Sequence, residues 1–236
     1  MISFIHKIPI LTTLFSAWFA FILYQHWAAK DKPTYILWWL LGVVFYGLGT
    51  FTESWVGLFG WNEGIFKSWY ILGALLGGFP LAQGSVYLLL NRKVAHALSL
   101  IFVVVILITA VLVALSPVLY ELVEPTRLTG KVLAWREVRL VTPFINIYAF
   151  IFLVGGAAWS AYRYSRERIY RNRFVGNLLI AIGGLLPGIG GSFTKFGYTE
   201  VLYVTELLGI ICIYFGYQTI RRDRTLSLYA VQNQQA

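Results

Sequence analysis

Reactive side chains are scarce in this chain. Of 236 residues one is cysteine, three are histidine and only 12% are charged, against roughly 25% charged in soluble domains. Cys212 has no second cysteine to pair with, so it carries no information about redox compartment. His6, His26 and His96 lack cysteine or carboxylate neighbours at ligand spacing, which argues against a closed metal site or a haem, and no cofactor is expected. There is no Gly-Lys-Ser/Thr phosphate loop and no His-Glu-x-x-His zinc helix. Neither the Gly190-Gly191-Ser192 stretch nor the run from Glu121 to Arg127 is followed by a histidine, so neither has the usual base. An intramembrane lipid-modifying enzyme would need a convergent acid, base and nucleophile, which the sequence does not present. An enzyme is the less favoured reading.

Apolar length is what the chain has in abundance: 58% of it is hydrophobic and its mean hydropathy is +0.70. Hydrocarbon about 30 Å thick requires roughly 20 apolar residues per helix. Segments near 8 to 28, 34 to 55, 66 to 90, 95 to 116, 138 to 162, 174 to 193 and 199 to 220 meet that length. The expected fold is therefore all-α, a single seven-helix transmembrane domain covering 1–236, with too little left between spans for a separate soluble domain. Lys7 ahead of the first segment and Ala28-Ala29 after it resemble a signal peptide. Cleavage there would make every later loop break the charge rule, so the segment is expected to remain as a span.

The charges divide unevenly between the two sets of loops. Twelve basic residues fall on one side, in groups at Lys30 and Lys32, Arg92 and Lys93, Arg163 to Arg173, and Arg221, Arg222 and Arg224, against only Asp31, Glu167 and Asp223. The other side has seven basic and seven acidic residues. Under the positive-inside rule the N-terminus is outside and the C-terminus cytoplasmic, in a cytoplasmic (inner) membrane. The net charge of +9 then reflects insertion and attraction to anionic lipid, and no nucleic-acid partner is expected.

Tryptophans fit this placement as interfacial anchors: Trp27, Trp38 and Trp39 flank the first inner loop, and Trp55, Trp61, Trp69 and Trp135 flank outer loops. The longest loop, about 117 to 137, holds Pro117, Pro125, Gly130 and a Val132-Leu133-Ala134-Trp135 stretch that suggests a short interfacial helix. Gly47 to Glu53 echoes Gly188 to Lys195, and Trp69 to Gly77 can be laid over Val201 to Gly209. The echo fits parallel repeats of spans 1 to 3 and 5 to 7 in a 3+1+3 arrangement. It fits equally the shared composition of membrane helices.

Ionisable groups inside apolar spans are costly and usually face protein interior or water. Glu206, in the seventh span, is the clearest case; Glu53 ends the second, and Arg139 at the start of the fifth is a candidate partner for either. One reading is an outward-open site where Glu206 binds a cation or proton and Arg139 orients an acidic group. The other is an interhelical ion pair, or a protonated Glu206 hydrogen-bonded to a neighbour. Gln83, Asn146, Asn177 and Tyr203 are candidate lining residues, although single amides commonly just join helices. Pro80, after Gly77-Gly78, and Pro187, between Gly183-Gly184 and Gly190-Gly191, are candidate hinges.

In count and orientation the spans resemble the rhodopsin architecture. The resemblance is topological only, because the seventh span has no lysine for a retinal Schiff base. Seven-helix sensor input modules and 3+1+3 sugar carriers share the count too, but no Pro-Gln pair is present and no attached output domain is expected. The expected function is a membrane-embedded binding protein, transporter-like or receptor-like, for a small molecule, lipid or ion reaching it from the outer side. The alternative is a non-catalytic subunit or sensor input that contacts a partner membrane protein. Gly42, Gly49, Gly73, Gly77 and Gly84 supply the small residues which that alternative needs.

Overall fold

The computed structural model describes residues 7–124, 127–166 and 168–223; His6, Pro125, Glu167 and Arg224 lie outside them. Seven helices are long and apolar enough to cross a membrane: α1 (Ile8–Ala29), α2 (Thr34–Phe59), α3 (Glu63–Leu89), α4 (Arg92–Leu115), α5 (Arg136–Tyr164), α6 (Arg171–Thr194) and α7 (Thr199–Arg221). Each agrees with an expected span to within a few residues. Helix is the form such segments take because lipid offers no partner for backbone N–H and C=O groups. The turns are tight: Gly60 and Gly197 adopt positive φ at two of them.

Packing is close where glycines allow it. On α6, Gly176 and Gly183 face Gly216 and Gly209 of α7; a Cβ on Gly183 would stand 2.6 Å from the Gly209 carbonyl oxygen, and one on Gly216 2.5 Å from that of Gly176. Dispersion between backbones, rather than apolar burial, holds helices together in lipid, and α6 with α7 forms the most extensive helix pair. Gly42 meets Leu81, Gly49 meets Gly73, and Gly84 meets Trp39. The glycines that sequence alone offers to a foreign helix are thus used inside the chain. α4 is the least enclosed helix, with Leu100, Leu107 and Leu115 all more than half exposed.

Three local expectations change. Among the described residues of 117–135 there is no interfacial α-helix: Val118 bridges Leu133 antiparallel, two short 3-10 turns cover Tyr120–Leu122 and Gly130–Val132, and Val132 and Leu133 are buried in the core. This segment covers one end of the bundle, called the cap end below. It is tied to the start of α3 by Tyr120 donating to Glu63 at 2.7 Å, beside Lys67, which joins α3 to the end of α4 through Ala114 O at 2.9 Å. Trp39 is not an interfacial anchor but is 7% exposed in the core. Pro80 does not kink a running helix. α3 passes through a π turn at Tyr70–Leu75, breaks at Leu76–Gly78 and restarts at Phe79 with Pro80 in its first turn, where the missing N–H costs nothing. α6 runs as helix through Pro187, whose ring lies beside Gly209.

Candidate functional site

α2 and α7 each place one acid in an otherwise apolar stretch at matching depth. Glu53 is six residues before Phe59 and Glu206 seven after Thr199, so at about 1.5 Å per residue both sit roughly 10 Å below the cap end. There the two carboxyls meet within hydrogen-bonding reach of one another. Carboxylates have acceptors only, so such a bond requires a proton on one of them. Trp69 Nε1 donates to Glu53 Oε1 at 3.0 Å, while Oε2 of Glu53 and of Glu206 has no other donor. Tyr46 fixes the α7 backbone at this level by donating to Glu206 O at 2.8 Å.

The pair forms part of the wall of a cavity of about 880 Å³ among α2, α3, α5, α6 and α7. That lies at the upper end of the volumes usual for small-molecule sites, roughly 300–1,000 Å³. Two irregular turns shape it: Gly73 and Ala74 come from the π turn of α3, and Phe150 and Leu153 from a second π turn at Phe150–Gly155 of α5. Such turns shift side chains out of helical register and recur at functional sites. Towards the cap end the lining includes Arg127, Lys131, Arg139 and Lys195; Lys131 and Lys195 are exposed, so the cavity reaches the surface there.

Of the sequence candidates, Glu53, Glu206, Arg139, Asn146, Tyr203 and Pro187 all line this cavity. Arg139 makes no ion pair with either glutamate among the described residues; the bridges there are Lys67–Glu63, Arg127–Glu124 and Arg173–Asp223. Gln83 is elsewhere. It is fully buried, donates to Ala95 O at 3.0 Å and Ser99 Oγ at 2.7 Å, and accepts from Tyr148 OH. It joins α3, α4 and α5, which is the bland role open to any amide. Asn177 donates to Arg173 O and lines a second cavity of about 340 Å³ at the opposite, basic end, beside His26, Tyr217 and Arg221. Pro80 lines neither cavity.

Sequence reading missed Trp69 and Tyr46 as partners of the acids, and missed the cations Arg127, Lys131 and Lys195. Trp69 reads as an interfacial anchor, and only the reversal at Gly60–Asn62, with Glu53 six residues before Phe59 and Trp69 six residues after Glu63, brings it back to that carboxyl. The histidines are apart: His26 bonds Tyr217, and His96 bonds Tyr87 at 2.8 Å.

The helices define a multi-pass membrane protein with an acidic pair in a cavity near one end. No protein-family model, curated protein or solved structure matches the chain.

Proposed function

We propose that this protein is a membrane-embedded binding protein, transporter-like or receptor-like, whose ligand is held at the Glu53–Glu206 pair. The observation that carries the reading is the meeting of two acids, from helices far apart in sequence, on the wall of a cavity large enough for a small organic molecule. A structural hydrogen bond between helices needs no such space and no second carboxyl. Two carboxyls sharing one proton change charge readily when a ligand arrives, since bringing a donor or a cation to the pair favours release of the shared proton. The cations nearer the mouth offset that negative charge. By the positive-inside rule the cap end faces outwards and the ligand arrives on that side.

The test begins with the full chain extracted from its own membrane in mild detergent, followed by mass spectrometry of the small molecules released on denaturation. A compound retained by the native chain and lost from the Glu53→Gln/Glu206→Gln variant is the expected result. Equal retention by a variant that elutes and melts like the native chain would remove the carboxyl pair from the proposal.

A further inference from the structure

α5 and α6 close on each other only over part of their length. Over the basic half they pack side by side, and the contact continues to mid-bundle, where a Cβ on Gly184 would stand 3.1 Å from Leu153. Towards the cap end they part, and the first half of α5 makes little contact with α6. A Cβ on Gly188 or Gly191 would meet nothing within 4 Å. The walls of this gap are also walls of the large cavity: Ile147 and Phe150 on α5, Leu185 and Ile189 on α6. Those four side chains are 56%, 54%, 39% and 39% exposed, so the cavity reaches the side of the bundle as well as its cap.

In a bilayer that side meets hydrocarbon, not water. Leu185 lies nine residues and Ile189 five residues before Thr194, depths of about 14 and 8 Å at about 1.5 Å per residue. The gap is therefore level with the carboxyl pair. Polar molecules cannot approach at that depth through lipid, whereas a molecule with an apolar body can. At that depth the polar groups without a further donor are Oε2 of Glu53, itself only 5% exposed, and Oε2 of Glu206, and a pair with one proton among four carboxyl oxygens is mainly an acceptor. The other unpartnered polar atom of the lining, Arg127 Nε, belongs to the cap segment.

Resting on the binding role argued above, we infer that the ligand is a single-chain amphiphile that passes sideways from the bilayer through the α5–α6 gap, with a hydroxyl or amine head donating to the Glu53–Glu206 pair. Its apolar body lies between Phe150, Leu185 and Ile189. Such a ligand spans both chemistries present at one depth, an apolar slot and a buried pair of acceptors. Of the mouth cations, Lys131 and Lys195 then face water and the headgroup layer, and Arg127 stays paired with Glu124.

The probe is a photoreactive, alkyne-tagged hexadecanol, with the matching hexadecanoic acid as comparison, in vesicles containing the full chain. Expected are adducts on Phe150, Leu185 or Ile189, stronger for the alcohol than for the acid, and reduced about tenfold by Gly188→Trp, which plugs the gap from a position with free space. Adducts spread evenly over α4 and the rest of the lipid-facing surface, or labelling unchanged by Gly188→Trp, would overturn lateral passage. Stronger labelling by the acid would overturn the assignment of the head. Retention of the co-purified molecule separates this proposal from the binding role. If Gly188→Trp keeps the molecule while Glu53→Gln/Glu206→Gln loses it, the site stands and the sideways route falls.

Discussion

Replacing Gln83 by Leu removes three hydrogen bonds from a fully enclosed position while nearly conserving volume. Bonds between membrane helices average about 0.6 kcal/mol and reach about 1.7, so the three together are worth about 2–3 kcal/mol. Much of that reflects one orphan. Ser99 still donates to Ala95 O at 2.9 Å, but the Tyr148 hydroxyl, on a residue 7% exposed, loses its acceptor. Tyr148→Phe alone costs about 1 kcal/mol. Added to Gln83→Leu it costs nothing further, because no hydroxyl then remains to be satisfied, and the cycle closes with a coupling of about 1 kcal/mol. Unfolding of the four proteins in mixed micelles by rising SDS fraction gives each value. Strictly additive costs, or a Gln83→Leu loss under about 0.5 kcal/mol, would refute the bonding described for Gln83. It would also reopen a place for that residue at a ligand.

Two glycines on α6 make a matched comparison. Gly183→Ala puts a methyl 2.6 Å from a backbone oxygen that cannot withdraw and costs about 1–3 kcal/mol of stability in the same assay, whereas Gly188→Ala enters open space and is neutral or slightly stabilising; equal effects would contradict the α6–α7 seam. Orientation is read by thiol labelling of intact cells. Lys131→Cys reacts with a membrane-impermeant maleimide from outside, and Lys32→Cys reacts only after permeabilisation. The reverse pattern would invert the bundle and place the acidic cavity on the cytoplasmic side.

Spans were legible because lipid imposes a length and tolerates few charges, and the acids stood out for the same reason. Even their meeting was implicit in the sequence, since Glu53 and Glu206 lie at nearly the same count from helix ends that share a side of the bundle. What hydropathy does not contain is the rotation of each helix about its axis. Gln83 and Asn146 are equally plausible amides in sequence, yet rotation turns one into the α3–α4–α5 junction and the other onto the cavity. The π turn at Phe150–Gly155 follows Pro143 by a full two turns and has no breaker of its own before Gly155, so the gap it helps to open had no local signal. Val132 and Leu133 read as interfacial because their neighbours are polar. The bridge from Val118 to Leu133 instead pulls them inwards.

The binding role stands most directly on what occupies the space beside Glu53 and Glu206. A crystal structure of the full chain grown from a lipidic mesophase, with the native membrane extract as its lipid source, would show it. The expected result is ordered non-protein density that touches both carboxyls and extends between α5 and α6, and that is lost in Glu53→Gln/Glu206→Gln crystals. A collapsed cavity with the two carboxyls enclosed only by protein side chains would contradict a binding role and leave the pair as a structural contact between α2 and α7.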